Sequence, residues 1–330
     1  MPRSSAAQPR ARARAWGVAP RKDREEPEPV RTPVFTPPTG LLLVVTLSIL
    51  WGVNWPIMKV VLNEIPPWTF RALAGPASGL VLLLAARMRG IPTAVPRRLW
   101  PAFGLVTLCN VTLWHLSYSF GLMYLTSGRA ILIGYTMPLW ASLLAVFVLG
   151  ERITARRALA LALGMGGIAV LLGSDVGAAA TAPVGVAFMV FGAITWATGT
   201  VFLKRVAWGV PVLALTGWQL FLGSLPYVPG AVLFEDANLG AISPAAVLAV
   251  LYNVFVAISF GTYLWFRIVR LLPANVSAIC TLMSPVVGVV AGNLALGERL
   301  GGSEVAALAL VCTALALALF GREAQGPPRA

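Results

Sequence analysis

Ten apolar runs, each close to the length that crosses a bilayer and joined by short connections, leave this chain few ways to fold. They lie at roughly 40–61, 68–86, 99–120, 128–149, 158–173, 183–203, 211–234, 244–266, 274–296 and 303–320. A hydrocarbon core about 30 Å thick is crossed by about 20 helical residues. The fifth and tenth runs are the shortest, and no connection is long enough for a separate soluble domain. Composition agrees: 58% of the 330 residues are hydrophobic and 11% are charged. A soluble domain carries about 25% charged residues. A surface so poor in charge would not stay in water, which excludes an ordinary soluble enzyme, a disordered chain and a coiled coil.

The formal charge of +13 would suggest nucleic acid on a soluble protein. The placement of the charges argues against that. With the N-terminus on the cytoplasmic side, 21 of the 25 Lys and Arg fall in cytoplasmic stretches. The tail 1–39, Arg87, Arg89, Arg97, Arg98, Arg152, Arg156, Arg157, Lys204, Arg205, Arg267, Arg270 and the tail 321–330 hold them. This is the positive-inside distribution for ten helices with both termini cytoplasmic. Lys59, Arg71, Arg129 and Arg299 are the exceptions. The tail 1–39 has no apolar core of a signal peptide and reads as a disordered cytoplasmic tail, with contact to anionic lipid as the functional alternative.

The chain repeats itself. Gly150-Glu151-Arg152-Ile153 returns as Gly297-Glu298-Arg299-Leu300, and at the same offset of 147 Pro138 meets Pro285 and Leu161-Ala162-Leu163 meets Leu308-Ala309-Leu310. Near the starts of the halves, Trp51 and Lys59 meet Trp196 and Lys204. Five runs per half is an odd number, so the second half enters the membrane inverted, as in secondary transporters. The expected halves are 40–173 and 183–320.

The run Trp51-Gly52-Val53-Asn54-Trp55-Pro56 through Lys59, followed by Ile65-Pro66-Pro67 and Phe70-Arg71, resembles the opening of an EamA-type repeat of the drug/metabolite transporter superfamily. Pro138 with Gly150-Glu151-Arg152, and Pro285 with Gly297-Glu298-Arg299, resemble its end. The resemblance covers about residues 40–320. It implies an all-α polytopic membrane protein, ten transmembrane helices in two inverted five-helix repeats around a central cavity. It also implies export or uptake of small metabolites such as amino acids, amines or nucleobases. Ala197 and Gly199 stand in the second half where Gly52 and Asn54 stand in the first, so a role of Asn54 does not carry over to both halves.

The chemistry of the chain narrows the mechanism. Lys22, Lys59 and Lys204 are the only lysines and none follows the glycine pattern of a phosphate-binding loop, so the chain has no such route to ATP. One His and no CxxC give no zinc site, and no cofactor is expected. Cys109, Cys280 and Cys312 read as small packing residues. His115 has Ser117 and Ser119 nearby but no nucleophile-elbow sequence. The reading is a transporter rather than an enzyme, with an intramembrane enzyme using His115 or a membrane scaffold or sensor as the alternatives. No carboxylate falls mid-membrane, where proton-driven carriers keep theirs. Proton coupling through His115 and flux down the substrate gradient are the two energy sources left, and the second is favoured.

A desolvated metabolite is held by a few placed polar groups and flat apolar faces. The candidates are Trp51, Asn54, Trp55, Asn110, His115, Tyr118, Tyr135 and Trp140 in the first half. Trp196, Gln219, Tyr252, Asn253, Tyr263 and Ser284 join them from the second. Pro138 and Pro285 each free a backbone carbonyl and permit a kink for gating. Lys59, Arg71 and Arg129 approach the outer face, either snorkelling to headgroups or forming a cationic vestibule for a carboxylate. Arg71 has Glu64 as an alternative partner, and Glu151 and Glu298 are expected to contact neighbouring Arg at helix ends. The expected partners are a small-molecule substrate and the lipid bilayer, with no nucleic acid. Oligomeric state is open, a homodimer included. The expected location is the bacterial inner (plasma) membrane.

Overall fold

The computed structural model describes residues 37–149, 154–173, 182–237, 239–271 and 274–319. The tail 1–36, the first Gly-Glu-Arg motif at 150–153 and the residues from 320 onward lie outside that description. Among the described residues the structure is helical throughout, with no strand. The helices are α1 (Pro37–Leu62), α2 (Pro67–Met88), α3 (Trp100–Thr107), α4 (Trp114–Tyr124), α5 (Ser127–Gly134), α6 (Met137–Leu149) and α7 (Ala155–Gly173) in the first half. The second half holds α8 (Ala182–Arg205), α9 (Val212–Ser224), α10 (Tyr227–Phe234), α11 (Pro244–Leu251), α12 (Gly261–Leu271), α13 (Ala274–Leu296) and α14 (Gly302–Leu319). Wide π-helical turns join α3 to α4 (Leu108–Leu113) and α11 to α12 (Tyr252–Phe260).

Among the described residues, five stretches are long and apolar enough to cross a membrane: Gly40–Leu62, Pro67–Met88, Arg97–Tyr124, Pro183–Arg205 and Pro244–Trp265. Shorter apolar helices cover Ala158–Leu171, Met283–Leu296 and Gly302–Leu317. Two of the expected spans are interrupted. The fourth breaks at Tyr135 and Thr136 between α5 and α6, and the seventh at Leu225 and Pro226 between α9 and α10. The two repeat-related prolines therefore differ. Pro285 lies inside the continuous α13. Pro138 is the second residue of α6. A missing N–H there leaves no gap, because the first amides of a helix have no intrahelical partner. Pro138 opens a helix instead of kinking one.

The helix ends explain one motif. Gly297 adopts φ 65°, a left-handed conformation that suits glycine, and closes α13 with its N–H donated to Asn293 O at 3.1 Å. The Asn293 amide then donates to Glu298 O at 2.7 Å. The chain turns back, and the Glu298 side chain lands on the start of α5.

The principal packing partners are α1 with α13, α2 with α9, α4 with α8, α7 with α14, and α8 with both α5 and α6. Exchanging the two halves maps the α2–α9 and α7–α14 pairs onto themselves. It maps α1–α13 onto α8 with α5 and α6. Lipid tails are as apolar as Leu, so helices in a membrane associate by close backbone approach. The crossings accordingly run through small residues. A Cβ at Gly79 of α2 would stand 2.7 Å from Phe221 Cα and 2.8 Å from Gly217 O on α9. A Cβ at Gly52 of α1 would stand 3.0 Å from Ser284 O on α13.

Gly79→Ala should destabilise the protein by about 1–3 kcal/mol, the usual cost of overpacking a close-packed contact. Gly104→Ala, where a Cβ meets nothing within 4 Å, should be neutral or slightly stabilising. Thermal unfolding of both variants in detergent checks the contrast.

Candidate functional site

All five described carboxylates (Glu64, Glu235, Asp236, Glu298 and Glu304) fall in connections or at a helix start, none within the apolar body of a helix. Four of them tie one half of the chain to the other. Glu235 accepts from Trp68 N at 2.9 Å, Thr69 N at 2.7 Å and Thr69 Oγ1 at 2.9 Å, so a second-half carboxylate caps α2. Glu298 accepts from Ser127 N at 2.7 Å, Ser127 Oγ at 2.9 Å and Gly128 N at 3.0 Å, which caps α5. Glu64 accepts from Ser243 N at 2.7 Å and Ser243 Oγ at 2.6 Å. Ser243 is the N-cap of α11 and its hydroxyl in turn accepts from Ala246 N at 3.1 Å. Glu304 pairs with Arg129 through Nη2 at 2.6 Å and Nε at 2.8 Å. A carboxylate suits a helix N-terminus, where amides lack partners and the helix dipole is positive. We call this the acidic end.

The partners differ from those expected. Glu298 meets the start of α5 and not an arginine. Arg71 does not pair with Glu64, and it does not snorkel: its side chain is fully buried. Lys59 donates to Leu122 O, and to Leu125 O at 2.9 Å, covering carbonyls at the end of α4 that have no intrahelical partner. Arg129 is ion-paired. The three cations do not form one open vestibule.

An aromatic chamber lies beneath the acidic end. Trp55 of α1 packs on Tyr118 of α4 at 5.4 Å between ring centroids and on Tyr135 at 6.5 Å. Trp114 of α4 lies 5.3 Å from Tyr118 and 5.6 Å from Trp196 of α8, and His115 lies 5.7 Å from Tyr118. Gly134 and Gly192 leave the space for the indoles, since a Cβ at either would come within 3.4 Å of Trp114. Arg71 enters from α2 with its guanidinium 4.3 Å from the Tyr118 ring centroid and 4.6 Å from that of Phe70. Its Nε donates to Ser119 Oγ at 2.6 Å, and Ser119 Oγ donates to His115 O at 2.8 Å.

The π-helical turns bring in the buried amides. A π turn releases carbonyls from the regular ladder, and such turns concentrate at functional positions. Tyr227 of α10 donates its hydroxyl toward Val111 O at 2.8 Å and Thr112 O at 3.0 Å, at the end of the first turn. Ser78 of α2 lies 3.3 Å from Val254 O of the second turn. Asn110 and Asn253 sit one in each turn, both buried, each with Oδ1 unpartnered. Asn54 Oδ1, Gln219 Nε2 and His115 Nδ1 are unpartnered as well. Gly199 answers to this arrangement, because a Cβ there would overlap the Asn110 amide. The second half departs from the first at that position because the space holds Asn110.

Some expected residues lie elsewhere. Trp140 lines an apolar groove between α6 and α7 with Thr136, Leu139, Leu143, Leu161, Gly164 and Met165. Tyr263 lies under Arg89, at the other end of the bundle from the carboxylates, at 5.2 Å. Trp51 and Tyr252 bind α1 to the second half, through Trp51 Nε1 to Ala257 O at 3.1 Å and Tyr252 Oη to Leu50 O at 2.8 Å. Ser284 is buried at the α1–α13 crossing, where its carbonyl faces Gly52. Trp114, Ser119 and Tyr227 belong to the chamber and were not among the sequence candidates. Nothing in their local sequence separates them from packing residues. Among the described residues no cluster of His, Cys, Asp or Glu could hold a metal ion.

The EamA-like transporter family matches residues 38–173 and again 183–320. The uncharacterized transporter YvbV of Bacillus subtilis is 29% identical over 276 residues, covering 84% of this chain and 90% of that protein. A probable amino-acid metabolite efflux pump of Escherichia coli is 26% identical over 289 residues, covering 85% and 94%. A solved crystal structure at 22% identity aligns with a TM-score of 0.62 over 86% of this chain and 98% of that one, which shows a shared fold.

The contacts of the acidic end predict a pH effect. Hydrogen bonds from the Ser243 hydroxyl and amide hold the Glu64 carboxyl below the ordinary glutamate value, against a weaker opposing effect of desolvation. A lowered value means that the contact stabilises above the ordinary pKa and is lost as pH falls through the lowered one. Glu64→Gln should therefore lower the thermal midpoint at pH 7, with the gap to wild type closing below about pH 4. A gap unchanged in acid would show that the ionised carboxylate is not what stabilises the contact.

Proposed function

The chain belongs to the EamA-like transporter family, and from that premise we propose a secondary transporter that moves a small polar metabolite of the amino-acid class out of the cell, without ATP. The transport reading itself follows from the family and from relatives named as transporters and efflux pumps. Substrate class, direction and mechanism are the proposal. The observation that carries it is the buried cluster of Trp and Tyr rings built by both halves beneath the acidic end, together with unpartnered amides on α1, on α9 and in the two π-helical turns. Unpartnered buried amides are costly, and more so in a bilayer, where no water satisfies them. A polar metabolite that meets them recovers that cost.

The proposed topology is ten spans in two inverted halves, 40–173 and 183–320, with the acidic end outward and the basic loops cytoplasmic. In this reading the structure is closed on the outside. The four carboxylate contacts all cross between halves, so rocking the halves apart at that end breaks them together. The interruption at Tyr135 and Thr136 and the two π-helical turns are the places where backbone geometry can change without breaking a long helix. Proteoliposomes loaded with a panel of amino acids and nucleobases, assayed with and without a pH gradient, test substrate and coupling together.

Asn54→Leu is nearly isosteric and removes a buried unpartnered oxygen. It should reduce flux to below about a tenth of wild type while thermal stability holds or rises, since an unsatisfied polar atom is lost. Full flux from this variant would take Asn54 out of the transport route. Product formation by the detergent-solubilised protein with no gradient would favour the enzyme alternative.

A further inference from the structure

We propose that Arg71 is the specificity-determining residue of the chamber, and that it selects a carboxylate borne on an aromatic body; this rests on the transport reading above. The placement of the residue is unusual. It is a charged side chain with no exposed surface, one turn or about 6 Å inside α2 at 1.5 Å per residue. Among the described residues no carboxylate pairs with it, because the carboxylates of the acidic end are engaged elsewhere: Glu235 on the amides of Trp68 and Thr69, Glu64 on Ser243, Glu298 on Ser127, and Glu304 on Arg129. A buried arginine left without a counter-ion is destabilising, and a fold retains one where a partner arrives from outside.

The guanidinium is also oriented for such a partner. Nε is held by Ser119 Oγ and one Nη2 proton faces Met58 Sδ at 3.4 Å, while Nη1 is buried and unpartnered. Nη1, without a partner among the described residues, and the second Nη2 proton can together present two N–H donors, the geometry that grips both oxygens of a carboxylate. Tyr118 and Phe70 stack against the guanidinium and hold its plane. The chamber continues from Tyr118 to Trp55, Trp114 and Trp196. The acid group of the substrate thus docks just below the outer closure while its flat apolar body replaces the ring contacts beneath. Displacing those rings requires a group that stacks equally well, which an aromatic ring does.

The test uses the full-length protein in nanodiscs and three probes that share a phenyl ring. L-Phenylalanine carries a carboxylate and an ammonium, 3-phenylpropionate only the carboxylate, and phenethylamine only the ammonium. Tryptophan fluorescence reads binding and proteoliposomes read flux. Both acids should bind, and phenethylamine should bind about 30-fold more weakly or worse, the scale of one buried charge pair. Arg71→Met should lose both acids by a similar factor with a thermal midpoint equal to or above wild type, because removing an uncompensated buried charge relieves strain. Arg71→Lys keeps the charge without the fork and should recover only part of the binding. Phenethylamine binding as well as phenylalanine, or Arg71→Met retaining phenylalanine within about threefold, well short of one charge pair, would overturn the proposal. A lower midpoint for Arg71→Met with acid affinity intact would make Arg71 a structural residue. Acid binding without flux would remove the transport reading and leave the anchor. Flux of other solutes without acid binding would do the reverse, and the absence of both would remove both.

Discussion

A helix that begins at the edge of a bilayer exposes several amide N–H groups with no intrahelical partner, where water is scarce. This chain answers with carboxylates from the opposite half. Glu235 covers the first amides of α2, Glu298 those of α5, and Glu64 binds the N-cap serine of α11, while Glu304 holds Arg129 near the start of α5. α5 and α11 also carry a cap from their own half, Thr126 Oγ1 accepting from Arg129 N and Ser243 Oγ from Ala246 N, so the two halves complete these helix starts together. The exchange of contacts joins the two halves at one end. At the other end the polar contacts across halves among the described residues include Trp218 Nε1 donating to Thr93 O at 2.8 Å and Arg89 lying over Tyr263.

Below that end, the packing follows from the size of small residues. Gly79 against Phe221 and Gly52 against Val287 allow backbones to approach where a side chain would hold them apart. The same device serves the chamber, where Gly134 and Gly192 make room for indoles and Gly199 for the Asn110 amide. The two π-helical turns lie at matching places in the two halves, and each is contacted by a hydroxyl from the α2–α9–α10 layer. The match is not complete. Pro138 opens a helix after an interruption, whereas Pro285 lies within an unbroken one. The halves share a plan but differ in where their helices break, the second half at Leu225 and Pro226 and the first at Tyr135 and Thr136.

Much of the frame was legible in the sequence because it depends on local, one-dimensional properties. Apolar length marks the membrane helices, and the recurrence of Gly-Glu-Arg after a proline-bearing run marks the duplication. Gly199, read as a departure from the pattern at Asn54, was legible as a difference but not as a cavity for Asn110. The cations show where sequence reading stops. Lys59, Arg71 and Arg129 look alike there, as basic residues near an outer helix end. In the fold one covers carbonyls of α4, one is buried on Tyr118, and one is ion-paired. Each outcome depends on which helix stands opposite, and hydropathy carries no information about that. The sequence is silent on Tyr227 and on the tie of Ser119 to Arg71 for the same reason: hydroxyls on apolar helices acquire a role only from the carbonyl or guanidinium that faces them.

The sequence by itself determined the solvent of this protein and its kinship. A chain with 11% charge in long apolar runs folds in a bilayer, and its two copies of one motif place it in a family of transporters. Tertiary structure decided the chemistry. A charge or an amide in hydrocarbon must find a partner or be left without one, and which of the two happens is set by neighbours far away in the chain. That choice assigned the carboxylates to helix starts, left Arg71 without a counter-ion among the described residues, and set it against the rings of the chamber.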